Sequence, residues 1–259
     1  MGDVRTLDMM LGALNCPFGT GHMGVTAENV AAEHDVSRAE QDAFAMTSQT
    51  RAAAAIRDGR FEDQITPVSV KVKRDKVDFI CDEHPKQTDE AALAGLRPVF
   101  QKDGSVTAGN ASGINDGAAA LVLAQASAAQ MAGLRPRARV LGYAHAGVRP
   151  AVMGIGPIPA VQNLLQKTGL TVEDFDVIES NEAFAAQALA VNKALGLDAA
   201  RVNPNGGAIA LGHPVGATGA ILVIKALHEL ERTQSDRALI TMCIGGGQGI
   251  ALAIERIAA

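Results

Sequence analysis

Apolar and polar positions follow two different rhythms on either side of about Gly104. Ahead of it the pattern is helical and loop-rich. Thr26 can cap a short helix through Ala31. Ser37 with Glu40 makes a capping box before a longer helix that runs to about Asp58 and stops at Gly59. Pro67 to Val72 alternates apolar with polar, the period of a half-buried strand. Lys71, Lys73, Arg74 and Lys76 then read as a solvated edge rather than a binding patch.

From about Ser105 the pattern alternates strand with helix. Ala118 to Leu123, Ala138 to Tyr143 and Asp176 to Glu179 are predicted strands. Helices are predicted over Ala126 to Ala132, Pro159 to Thr168 with a stop at Gly169, Glu182 to Leu195, and Gly216 to Leu230. Ala238 to Ile254 is interrupted by Gly245, Gly246, Gly247, Gln248 and Gly249, so it reads as two buried strands, Ala238 to Ile244 and Ile250 to Ile254, around a glycine turn. It is a poor membrane span for the same reason. The alternation predicts a mixed, layered α/β domain. No internal repeat or low-complexity linker is present.

Composition narrows the class. The chain has 259 residues, 47% of them hydrophobic and 20% charged, which fits a soluble globular protein with one large core or two smaller ones. A net charge of −5 without a basic stripe, no Trp and one Tyr argue against nucleic acid as a partner. The three cysteines, Cys16, Cys81 and Cys243, are too far apart in sequence for a zinc-type pair, so no metal is expected. Sparse cysteines suit a reducing compartment, and Met1 to Met10 has no apolar signal core; a cytoplasmic setting is expected.

Four places can carry chemistry. His213, between Gly212 and Pro214 in the small-residue stretch Asn203 to Ala220, can act as a general base or be a structural histidine. Cys243 ends an apolar strand and is followed by three glycines whose N–H groups can face an oxyanion; the alternative is a buried core cysteine. Ala108 to Ala120, almost all small residues, suits a narrow ligand tunnel or a tight turn before a buried strand. Asn181 and Glu182 follow a strand, where a site can form, although Asn is also a favoured helix N-cap.

These segments together resemble the thiolase family. Gly21 to Gly24 with Thr26 to Asn29, Leu96 to Phe100, Val106 to Ala120, Gly154 to Pro159, Asn181 to Phe184, Asn203 to Ala220 and Cys243 to Gly249 occur in that family's order across nearly the whole chain. The resemblance implies a thiolase-like layered α/β/α C-terminal domain at 105–259. A helical, loop-rich domain at 1–104 would cover coenzyme A. It implies thiolysis of 3-ketoacyl-CoA or Claisen condensation of acetyl-CoA, with coenzyme A as substrate and no further cofactor. Its carry-over puts His213 beside the nucleophile, Cys243 in the acid/base role, Asn181 with His213 at one oxyanion hole, and the Gly245 N–H at a second. Phe100, Ala108, Ser112, Ala183 and Phe184 would line the pantetheine tunnel, His22 would lie near the acyl-CoA, and Lys86 near the nucleotide phosphates. The full-length family implies a homo-oligomer.

One departure is large. The family's nucleophile stands in a Cys-x-Ser-Gly sequence, and none of the three cysteines does. The expectation is therefore a chain whose N-terminal domain is missing and which does not turn over alone. An alternative is a non-catalytic acyl-CoA-binding or split-gene partner. Another condensing enzyme, such as a ketoacyl synthase, is disfavoured because those use a second histidine in place of the second cysteine.

Overall fold

The computed structural model describes residues 2–4 and 6–258. The first part is helical, with α1 (Met9–Ala13), α2 (Met23–Glu33), α3 (Arg38–Arg57) and α4 (Glu90–Ala94), plus a hairpin of β1 (Val68–Val72) and β2 (Asp75–Phe79); α5 (Ala126–Met131) follows in the second part. The α3 start is the predicted capping box: the Ser37 hydroxyl faces the Glu40 N–H and the Glu40 carboxylate accepts from the Ser37 N–H. α2 starts three residues before the predicted cap. His22, not Thr26, caps it, its Nδ1 accepting from the Gly24 N–H at 3.0 Å, while Thr26 is buried inside the helix.

Two predicted strands fare differently from expectation. β1 forms, but nearly all of it is exposed rather than half-buried, because it pairs only with β2 and no layer covers the hairpin. Ala118 to Leu123 is not a strand: it pairs with no described strand, so the backbone has no ladder to join.

The second part is a four-stranded mixed sheet, ordered β3–β6–β5–β4, of β3 (Ala138–Gly147), β4 (Val177–Ser180), β5 (Arg237–Ile244) and β6 (Gln248–Arg256). β5 and β6 are the two predicted strands around the glycine turn; they pair antiparallel, with β6 only partly buried, and β4 runs parallel to β5. The remaining helices are α6 (Pro157–Thr168), α7 (Ala185–Leu195), α8 (Ala208–Leu211) and α9 (Thr218–Thr233). Strand alternation sorts the core into two layers. Ile178, Leu239, Ala251 and Ala253 face Ala160, Val161 and Leu164 of α6. Val177, Ala238, Ile240 and Ile254 face Leu222, Ala226 and Leu230 of α9. The sheet is thus sandwiched between helices, the expected α/β/α architecture.

α3 joins the first part to this sandwich. Its buried side includes Gln41, Ser48 and Gln49, whose side chains donate to the Ser105 hydroxyl, Glu182 and the Ile209 carbonyl. No helix among the described residues is long and apolar enough to cross a membrane.

Candidate active site

β4 ends at Ser180 and α7 begins only at Ala185, later than the predicted Glu182. The gap matters chemically: Asn181 is not a helix cap, and its side chain is free for the site. Its backbone N–H donates to the Thr241 carbonyl of β5 at 3.0 Å, tying it to the sheet. Its Nδ2 lies 3.3 Å from His213 Nε2. Its Oδ1 is buried with no partner among the described residues, an acceptor left for a ligand or water.

The hydrogen bonds assign the His213 tautomer. Thr218 donates its hydroxyl to the Pro214 carbonyl at 2.9 Å, so its oxygen accepts from His213 Nδ1–H at 2.6 Å. Nε2 therefore keeps its lone pair, pointed at Asn181 Nδ2. Burial holds the imidazole below its ordinary value, which favours the neutral ring. Thr218 serves this pair as the first residue of α9.

The loop from Asn203 to Gly207 is held from three sides. Asn203 exchanges hydrogen bonds with the Ser180 backbone, its Oδ1 accepting at 2.9 Å and its Nδ2 donating at 2.8 Å. Glu182, fully buried, accepts from Asn203 Nδ2, the Ser48 hydroxyl of α3 and the Ile209 N–H. From α9, Lys225 Nζ donates to the Gly206 carbonyl at 2.6 Å and to Glu179 at 2.7 Å, and Glu229 accepts from Asn205. Burial pushes the Glu182 carboxyl up, and that of Glu179 up to about 7 against the pull of Lys225. Gly206 has φ +79°, and a Cβ there would meet Ala52 and the Ser48 carbonyl of α3 at 2.8 Å, so only glycine permits this approach.

Cys243 sits at the end of β5 in a buried cluster with Cys16, Met23, Ala27, Val106, Met153, Ala183 and Phe184. Its burial fits the core-cysteine reading, and Ala183 and Phe184 of the same cluster follow Asn181 in the chain. Burial pushes its thiol up to about 12, so the thiol keeps its proton. Gly245 lies in the turn after it, against the Met23 methyl.

The predicted ligand-contacting residues divide into two groups. His22 stacks on Phe100 with ring centroids 4.8 Å apart, and Phe100 meets Phe184 edge-on at 6.1 Å. Ser112 donates from its N–H and its hydroxyl to the Ala183 carbonyl, each at 3.0 Å. His22, Phe100, Ser112, Ala183 and Phe184 are therefore one wall beside Cys243. Ala108 is exposed in a turn, and Lys86 is exposed with its backbone N–H on Gln49, outside that wall. Sequence reasoning missed Glu28, whose carboxylate accepts from the Ser105 and Val106 N–H groups and so anchors the segment behind Phe100. It also missed His84 and Asn115, which contact the His213 loop. Only the glycines around Asn115 hinted at a crowded site there.

Comparisons with known proteins show the family. Residues 134–256 match the thiolase C-terminal domain family model and residues 1–127 match the thiolase N-terminal domain model. The expectation that the N-terminal family domain is missing is corrected by the second match. The chain is 60% identical over 259 residues to beta-ketothiolase BktB of Cupriavidus necator and 54% identical to acetyl-CoA acetyltransferase of Escherichia coli. Each alignment covers 99% of this chain and 66% of the relative, so the chain spans just under two thirds of their length. Among solved structures it superposes on Bacillus anthracis acetyl-CoA acetyltransferase with a TM-score of 0.95 at 47% identity, covering 99% of this chain and 66% of that one. Human mitochondrial 3-ketoacyl-CoA thiolase in complex with CoA gives 0.90 at 41%, covering 99% and 64%.

Proposed function

Because this chain belongs to the thiolase family, we propose that it carries the proton-handling part of a site for acyl-CoA C-acyl transfer. The observation that carries the reading is the Asn181–His213 pair, with a bare imidazole nitrogen and an unpartnered buried amide oxygen beside the Cys243 cluster. The substrates are CoA thioesters, with no further cofactor, in a cytoplasmic setting. The chain is read as part of a homo-oligomer, as the family resemblance implies.

In thiolysis, a nucleophilic thiolate attacks the 3-keto carbon and the C2–C3 bond breaks. The bonding electrons pass to the departing acetyl-CoA enolate, whose C2 then takes a proton. A thiol held near 12 suits that donation, so Cys243 returns the proton. Asn181 and His213 stabilise the enolate oxygen, and His213 Nε2 takes the nucleophile's proton. The aromatic wall of His22, Phe100 and Phe184 packs along the pantetheine arm.

None of the three cysteines stands in a Cys-x-Ser-Gly sequence, so on this reading none of them accepts the acyl group. The chain by itself then binds acyl-CoA without turning it over. The test follows loss of acetoacetyl-CoA with added CoA, beside a Cys243→Ala variant and a direct acyl-CoA binding measurement. Binding without turnover is the expected result. Turnover at the rate of intact thiolases would overturn the assignment of the nucleophile, and absence of binding would overturn the substrate class.

A further inference from the structure

Three segments distant in sequence meet behind His213. Asn115 Oδ1 accepts from the His213 backbone N–H at 3.0 Å. Asn115 Nδ2 lies 3.3 Å from His84 Nδ1, and His84 Nε2 lies 3.2 Å from the Ile209 carbonyl. Ile114 and His213 also pair as a short parallel bridge. The packing around this chain is tight. A Cβ on Gly113 would come within 2.3 Å of the His84 ring, and one on Gly212, at φ +96°, within 2.6 Å of Asn115 Oδ1.

Donors and acceptors fit in one way only. A carbonyl can only accept, so His84 Nε2 carries the proton toward Ile209. Nδ1 of neutral His84 is then an acceptor and takes an N–H of the Asn115 amide. That fixes which end of the amide faces His84 and leaves Oδ1 toward His213 N–H. We propose that Asn115 is a positioning residue for His213, and that the neutral Nε2–H tautomer of His84 sets the amide so that its oxygen holds the His213 backbone. The role of His213 rests on the acyl-transfer reading above; the linkage itself does not.

Protonating His84 puts a second N–H on Nδ1, facing the amide donor. The amide must then flip or move away, and His213 N–H loses its acceptor. Burial of His84 favours the neutral ring, as does Lys86 on its own segment, while the hydrogen bond to the Ile209 carbonyl and Asp82 oppose them. The groups reaching it from the other segments, Asn115 and the Ile209 carbonyl, are uncharged.

The test is nuclear magnetic resonance on the whole chain with ¹⁵N-labelled histidine. Long-range couplings should show His84 as the Nε2–H tautomer, and the His213 amide proton should shift with the His84 titration midpoint. In His84→Ala that shift should vanish. In Asn115→Asp a carboxylate oxygen replaces the amide donor, and His84 should bind its proton more than ten-fold tighter. An Nδ1–H tautomer in the unmodified chain, or a His213 amide silent through the His84 titration, overturns the proposal whether or not the variants fold. Acyl-CoA binding and turnover do not enter these readouts, so failure of the acyl-transfer reading leaves a separate signature.

Discussion

Leu239 and Leu123 lie in apolar runs of similar length, yet one is fully buried and the other is 84% exposed. The run around Leu239 is β5, with β4 on one side and β6 on the other, and its two faces are covered by α6 and α9. The run Ala118 to Leu123 has no ladder partner among the described residues, and Val122 is 92% exposed. Apolar sequence supplies a reason to be covered; only a neighbouring strand supplies partners for the backbone N–H and C=O groups. The sandwich around β5 also affords a buried ion pair, Lys225 with Glu179, which the exposed run could not make dry.

That contrast can be broken by substitution. Lys225→Ala leaves Glu179 and the Gly206 carbonyl buried without their donor, and should cost about 3–5 kcal/mol in urea unfolding. Leu239→Ala opens a cavity between sheet and α6 and should cost about 2–5 kcal/mol.

The pair also predicts a pH dependence. The Glu179 carboxyl is raised from 4.5 to about 7, so between those values the folded chain holds a proton that the unfolded chain has released. Stability from this group should fall as pH rises through that window, by about 3 kcal/mol at most. Glu179→Gln should flatten that slope, as read from urea midpoints at several pH values. An unchanged slope would show that Glu179 does not titrate there.

Leu123→Ala should change stability by no more than about 0.5 kcal/mol, since little apolar area is buried there. A loss as large as that of Leu239→Ala would end the comparison.

Local signals survived where the element completes itself. Ser37 and Glu40 bond to each other within one turn, so the α3 start was legible from four residues. The β5–β6 pair carried its own turn, and the glycines marked it. Thr26 misled because His22, a rarer cap, reaches the Gly24 N–H first. Asn181 was legible as a candidate, but its freedom from capping depended on where α7 begins.

The sequence by itself determined the layered class, the capped helix, the glycine turn after Cys243 and the presence of His213, Asn181 and Cys243 in motifs of a known family. These are properties of residue type at short spacing. Only the tertiary structure decided the hydrogen-bond partners of His213, how far burial raises the Cys243 thiol, and that Glu28, His84 and Asn115 contact the segments around the site. Those depend on atoms brought together from segments dozens of residues apart, where hydrogen-bond partners and exclusion of water, not local pattern, set the chemistry.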